Sequence, residues 1–170
     1  IKTEGNFNSE TGLPLSVFNI RKEHEVGVFE LGMNRVDEIK ELANVLFPKF
    51  GIITNVGTAH IGILGTKDNI AKEKKNIFYN FTDDCVGFVP ENDEYAKFLQ
   101  DVPKGEILTY GEKSSSKISD VKDLGLLGTS FNYENVNITL ALAGKYNFSN
   151  ALSAVFLGEK LGLTAEEIKA

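Results

Sequence analysis

Several features that mark specialised classes of protein are missing from this sequence. Its 170 residues contain one cysteine, Cys85, so an internal disulfide is excluded, and the surrounding apolar run CVGFV indicates a buried structural thiol. No apolar run approaches the roughly 20 residues that span a bilayer, and there is no signal peptide. We therefore expect a cytoplasmic protein with no membrane partner.

An excess of basic residues is also missing. Lys and Arg total 18 against 24 Asp and Glu, which gives a formal net charge of −6. A broad nucleic-acid surface needs clustered Lys and Arg to neutralise phosphates, so we expect no nucleic-acid partner. The Walker A pattern GxxxxGK[ST] does not occur. Shares of 42% apolar and 25% charged residues are those of an ordinary globular protein, most simply one domain.

Apolar runs alternate with helical patterns along the first two thirds of the chain. The pattern predicts strands at residues 26–31, 51–56, 85–89 and 106–111. It predicts helices at residues 13–20, 37–47, 68–80 and 92–100, the second capped by Asn34 or Asp37. Such alternation indicates a parallel sheet with right-handed crossovers. The run 26–31 is continuous enough to predict a strand buried on both faces.

The pattern changes after Gly111. Residues 117–144 combine alternation with turn residues, which predicts two or three antiparallel strands added at an edge. A long helix should follow, with Ser149 or Asn150 near its start. Thr164 should cap a last helix, with Glu167 at the capping-box position.

Four polar side chains lie at or just past predicted strand ends: Glu30, Asn34, Asn55 and His60. In open α/β sheets, ligands bind outside the carboxyl ends of the strands. A carboxylate such as Glu30 could hold Mg²⁺, or it could accept loop N–H bonds. The imidazole of His60 could bind a metal, or it could pair with a carboxylate.

Lys74 is the unusual member of the basic run AKEKKN. It shares a predicted helix face with Ile70, Ile77 and Phe78, so it should point inward more than Lys72. An inward lysine must be paired, deprotonated or chemically modified. The residues alone therefore indicate an α/β domain with an anionic or metal-dependent ligand site.

Five segments carry a resemblance to a known family when they are taken in order. They are TEGNFNSETGLPL, ELGMN followed by DEI, TNVGTAHIGILGT, IAKEKKNIF and GKYNFSNALSA. Together they resemble the central domain of the Mur ligases of peptidoglycan synthesis, from Lys2 to the end of the chain. Each motif alone is weak, whereas the ordered set is specific.

The resemblance implies a P-loop NTPase-like α/β fold, with a mostly parallel sheet flanked by helices and a small antiparallel edge sheet. It also implies an ATP-dependent amide-bond ligase with ATP and Mg²⁺ as cofactors. In the members most similar to this chain, ATP phosphorylates the terminal carboxylate of UDP-MurNAc-tripeptide, giving an acyl phosphate that D-Ala-D-Ala then attacks. A monomer is expected.

Three residues take catalytic and metal-binding roles by this resemblance. Glu30 matches the family's acidic Mg²⁺ ligand, and His60 matches the histidine that helps to hold a second Mg²⁺. Lys74 matches the lysine that family members carry as a carbamate. Carbamylation would turn an inward cation into an anion able to hold Mg²⁺.

Five further residues match ligand-binding motifs of the family. Asn150 and Asn147 match the asparagines of GxHNxxNA, close to the nucleotide base. Thr3, Asn6 and Asn8 resemble the loop TxGNxNN, near the UDP-linked substrate. The alternative for Asn6 and Asn8 is plain turn chemistry, because Asn tolerates positive φ.

Two departures from the family pattern affect the interpretation. Tyr146 stands where the motif usually has histidine. The P-loop with its strand, the N-terminal UDP-binding domain and the C-terminal domain are not within residues 1–170. We interpret the chain as a partial central ATPase domain that should not ligate by itself. The alternatives are a related amide ligase of the folylpolyglutamate or cyanophycin synthetase type and a non-catalytic nucleotide-binding module.

Overall fold

The computed structural model describes all 170 residues and shows a mixed α/β fold. One sheet contains, in this order, β1 (Phe50–Ile52), β2 (Val86–Pro90) and β3 (Glu106–Tyr110). Val86 N–H donates to Lys49 O and Ile53 N–H donates to Phe88 O, so paired positions advance together along both strands. This sheet is therefore parallel, and the predicted fold class is confirmed.

Seven α-helices accompany the strands. They are α1 (Gly12–Phe18), α2 (Glu38–Leu46), α3 (Ile61–Leu64), α4 (Lys67–Lys75), α5 (Ala96–Gln100), α6 (Lys145–Lys160) and α7 (Ala165–Lys169). Short 3₁₀ turns lie at Asn76–Phe78 and Gly125–Leu127. Helix α3 lies in a stretch predicted as loop, whereas α7 begins with the predicted capping box of Thr164 and Glu167. None of the helices combines the length and the apolar composition that a membrane span requires.

The predicted antiparallel strands are present, but they form a sheet of their own. Its members are β4 (Ile118–Asp123), β5 (Thr129–Tyr133) and β6 (Val136–Leu140), in that order. Tyr133 pairs with Val136 across a two-residue turn in which Glu134 has φ 53°. A short turn of this kind allows a strand to pair with its neighbour in sequence. The three strands therefore form a separate sheet, whereas the prediction added them at the edge of the parallel sheet.

The chain divides into two compact units, each with its own buried apolar residues. Unit 1 consists of Ile1–Gly51, Val56–Val86 and Val102–Glu106, and unit 2 of Ile52–Asn55, Gly87–Asp101 and Ile107–Ala170. Leu13, Leu42 and Ile70 are fully buried in unit 1, and Phe88, Leu99 and Phe131 are fully buried in unit 2. Cys85 is buried and free, as predicted.

The predicted strand at residues 26–31 is wrong in two respects. Only a single parallel bridge forms there, between Lys2 and Val28. Val26 is 58% exposed and Val28 is 62% exposed, so the segment is not buried on both faces. An apolar run does not by itself distinguish a buried strand from an extended segment whose outer face meets water.

The predicted local cap of α2 is also wrong. Asp37 occupies the N-cap position with φ 64° and makes no side-chain cap bond. Instead, the carboxylate of Glu73 on α4 accepts hydrogen bonds from the N–H groups of Asp37 and Ile39, both at 2.8 Å. The α2 N-terminus is thus satisfied by a residue distant in sequence.

Candidate active site

Unit 1 contains a cavity of about 400 Å³ that gathers residues from distant parts of the sequence. Glu30, His60 and Lys74 all line it. The other lining residues are Asn6, Asn8, Leu31, Gly32, Met33, Asn34, Ile39 and Ala59. The structure therefore places the three proposed metal-binding residues around one cavity, together with two of the three proposed substrate contacts.

Glu30 is held in the cavity wall by the opening segment of the chain. Its backbone N–H donates to Thr3 Oγ1 at 3.0 Å, and its Oε1 accepts a hydrogen bond from Asn8 Nδ2 at 2.9 Å. Thr3 does not line the cavity and acts through the backbone of Glu30. The carboxylate itself is exposed to solvent at the cavity.

His60 enters the cavity from the N-cap position of α3. Its backbone is left-handed, with φ 65° and ψ 11°, and its carbonyl accepts the N–H groups of Ile63 and Leu64 at 3.0 Å each. Left-handed backbone is uncommon for residues other than glycine and concentrates at functional sites. His60 is exposed, and its ring makes no hydrogen bond within the chain.

Lys74 lies near the end of α4, on the face expected from the sequence. Ile70 and Phe78 are buried, Lys74 is half-buried, and Lys72 is exposed. Thr66 begins the helix, with its Oγ1 accepting the N–H of Asn69 at 3.2 Å. Lys74 lines the cavity, and Lys72 does not.

These side chains suit a hard cation only if further oxygen ligands join them. No group of three or more His, Cys, Asp or Glu side chains is placed to hold a metal. Glu30 and His60 would supply two donors, and a carbamate on Lys74 would supply a third. Mg²⁺ typically takes one or two protein carboxylates and completes its shell with phosphate oxygens and water. The residues present therefore fit a magnesium ion whose remaining ligands are water molecules or phosphate oxygens.

Unit 2 contains a second cavity, of about 490 Å³. Asn150 and Asn55 line it, as do the exposed ring of Tyr146 and the half-buried Phe148. Asn147, the other residue that the resemblance places close to the nucleotide base, does not line the cavity. Helix α6 begins at Lys145, earlier than predicted, and Asn147 Nδ2 donates to Ala143 O at 2.7 Å across its first turn.

Sequence reasoning missed two residues of this second cavity. Glu91 directly follows β2, and its carboxylate accepts Lys113 N–H at 3.0 Å and Ser114 Oγ at 2.6 Å. Tyr110 ends β3, and its hydroxyl donates to Ile53 O and Thr54 O at 3.2 Å each. Burial raises the pKa of Tyr110 to about 12. Glu91 directly follows an apolar run, as Glu30 does. The criterion that identified Glu30 would therefore have identified Glu91 as well.

The parallel sheet and the helices that accompany it define an α/β domain. The chain belongs to the family described as the Mur ligase middle domain, whose model matches residues 1–158. The predicted family is thus confirmed.

Individual relatives agree with the family match. A relative named UDP-N-acetylmuramoyl-tripeptide–D-alanyl-D-alanine ligase, from Treponema pallidum, is 49% identical over 169 residues, with 99% of this chain and 37% of the relative covered. The crystal structure of MurF from Acinetobacter baumannii matches with TM-score 0.89 and 30% identity, covering 99% of this chain and 38% of that one. MurF ligase from Thermotoga maritima, in complex with ADP, matches with TM-score 0.77 and 26% identity, covering 96% and 39%. The chain spans a little over a third of these relatives.

Proposed function

We propose that the full-length protein carrying this chain joins D-Ala-D-Ala to UDP-MurNAc-tripeptide at the expense of ATP, as a monomer in the cytoplasm. The chain would supply part of the central ATP-binding domain. The name of the Treponema pallidum relative and the ADP in the Thermotoga maritima complex support this assignment. The observation that carries it is the shared cavity of Glu30, His60 and Lys74.

The proposed reaction has two steps. First, a carboxylate oxygen of the tripeptide bonds to the γ-phosphorus of ATP, the bond from that phosphorus to the β–γ bridging oxygen breaks, and ADP leaves. Then the amino group of D-Ala-D-Ala attacks the acyl carbon and loses a proton, the carbon–oxygen bond to phosphate breaks, and inorganic phosphate leaves.

The cavity in unit 1 suits the charges of these reactants. A carboxylate and a triphosphate repel each other, and Mg²⁺, when bound, offsets their negative charge. Glu30 and His60 would hold it together with Lys74 as a carbamate. The carbamate forms when the neutral amine of Lys74 bonds to carbon dioxide and releases a proton, which replaces a cation by an anion. In unit 2, we assign Asn150 to the nucleotide base.

The assignment is tested by phosphate release from the full-length protein with ATP, Mg²⁺ and UDP-MurNAc-tripeptide. Release should require D-Ala-D-Ala, and glutamate should not replace it, which separates this ligase from the folylpolyglutamate type. Glu30→Ala should lower turnover by about 100-fold. The matched control is Glu25→Ala, an exposed carboxylate outside the cavity, which should keep normal turnover. No dependence on D-Ala-D-Ala would refute the substrate, and normal turnover of Glu30→Ala would refute the site.

A further inference from the structure

The opening segment of the chain holds one edge of the segment that carries Glu30. Val28 N–H donates to Ile1 O at 2.9 Å, Glu30 N–H donates to Thr3 Oγ1 at 3.0 Å, and Gly32 N–H donates to Asn8 O at 2.7 Å. Residues 28, 30 and 32 alternate, so their N–H groups point to the same side of an extended chain. Glu30 therefore lies at the middle of three consecutive anchoring points.

A fourth bond reaches the Glu30 side chain itself. Asn8 Nδ2 donates to Glu30 Oε1 at 2.9 Å. A neutral amide donor fixes the direction of the carboxylate without cancelling its charge, and it engages only one of the two oxygens. Oε2 accepts no hydrogen bond within the chain, and Glu30 is exposed.

The side chain of Asn8 packs closely against Gly32, where a larger residue would crowd it. A Cβ at position 32 would lie 3.0 Å from Asn8 Cγ and 3.1 Å from both Nδ2 and Oδ1. Asn8 thus passes directly over Gly32 to reach Glu30. The N–H of Gly32 holds the carbonyl of Asn8, and the lack of a side chain at Gly32 leaves room for the Asn8 amide.

We propose that Asn8 is a positioning residue that orients the Glu30 carboxylate toward a divalent cation, and is not a contact of the UDP-linked substrate. The inference rests on the proposed function, which makes Glu30 a metal ligand. Carboxylates that bind metals are commonly oriented by outer hydrogen bonds, and removing such a partner typically weakens metal affinity 10–100-fold.

The test measures the affinity of the full-length protein for Mn²⁺ by electron paramagnetic resonance. Nucleotide and substrate are left out. Asn8→Ala and the similarly shaped Asn8→Leu should each weaken Mn²⁺ affinity about tenfold. Gly32→Ala should weaken it in the same direction, because the added methyl would push the Asn8 amide a few tenths of an ångström away from its present position. Glu30→Gln is the reference for a lost ligand. Asn19→Ala, an exposed amide at the end of α1, is the matched control and should bind Mn²⁺ normally.

A second readout separates positioning from substrate contact. At saturating Mg²⁺, the Asn8 variants should keep the wild-type KM for UDP-MurNAc-tripeptide. Normal Mn²⁺ affinity in folded Asn8→Leu, with Glu30→Gln impaired, would overturn the role of Asn8 and leave the proposed function standing. A raised KM with normal Mn²⁺ affinity would also overturn it. Normal Mn²⁺ affinity in Glu30→Gln would refute the metal role of Glu30, and this inference with it, whereas ligase activity would be judged separately by its dependence on D-Ala-D-Ala.

Discussion

Glu73 Oε1, on helix α4, accepts a hydrogen bond from the backbone N–H of Ile39 in α2 at 2.8 Å. Its other oxygen accepts the N–H of Asp37 at the same distance. Glu73 is only 3% exposed. These two bonds join α4, which carries Lys74, to the first turn of α2, which contributes Ile39 to the cavity wall. One buried carboxylate therefore links two helices of the site.

Glu73→Gln should lower the free energy of unfolding by about 1–3 kcal/mol, measured by urea denaturation. Glutamine has one acceptor oxygen where glutamate has two, so one of the two backbone N–H groups would face an amide donor and stay unpaired. Glu41→Gln is the control, because Glu41 is exposed and pairs with Arg35 at the surface, where ion pairs contribute little. Equal losses in the two variants would contradict the capping role of Glu73.

Local patterns predicted much of this molecule, and long-range contacts account for the differences. The parallel strands, the Thr164 capping box and the inward face of Lys74 each depend on neighbours within a few residues. The cap by Glu73 and the bond from Asn8 to Glu30 span 34 and 22 residues, and no local pattern encodes them. The segment at residues 26–31 was mispredicted for the same reason, since its exposure depends on what packs against it.

Gly128→Ala should destabilise the antiparallel sheet strongly. Gly128 has φ +109°, and a Cβ there would lie 1.9 Å from Leu140 O, so the backbone of β6 would have to move. We expect a loss of more than about 2 kcal/mol in the free energy of unfolding, because both strain and a clash arise.

Gly62→Ala is the matched control for this substitution. Gly62 lies in helix α3, and a Cβ there would meet no atom within 4 Å. Alanine favours helix more than glycine does, so unchanged or slightly higher stability is expected. A Gly128→Ala variant as stable as Gly62→Ala would show that β5 and β6 do not pair as described.

Tyr110 should make the stability fall at high pH. Its pKa is raised from 10.0 to about 12 by burial, so the folded chain favours the neutral phenol. The stabilisation is therefore complete below pH 10 and is lost as the pH rises through 12. Unfolding free energies measured between about pH 9 and 12 should fall less steeply in Tyr110→Phe than in wild type.

The control for this pH dependence is Tyr79→Phe. Tyr79 is 55% exposed, so its removal should leave the wild-type slope unchanged. The slope should not vanish entirely in Tyr110→Phe, because burial also raises the pKa of Tyr133. Identical slopes in wild type and Tyr110→Phe would mean that the Tyr110 hydroxyl ionises as readily in the folded chain as in the unfolded one.

Lys74→Ala should lower ligase turnover of the full-length protein by about 100-fold, because the proposed function makes Lys74, as a carbamate, an anion that helps to hold the cation. On that proposal, a short carboxylic acid such as acetate or formate should occupy the space left by the side chain and restore part of the rate. Lys72→Ala is the matched control, since Lys72 lies on the same helix but is exposed. It should keep normal turnover and show no response to the acids. Wild-type turnover should also fall when carbon dioxide is removed and recover when bicarbonate is added. Lack of rescue in Lys74→Ala, together with full wild-type activity in carbon dioxide-free buffer, would exclude the carbamate and leave Lys74 as an ordinary cation facing the phosphate.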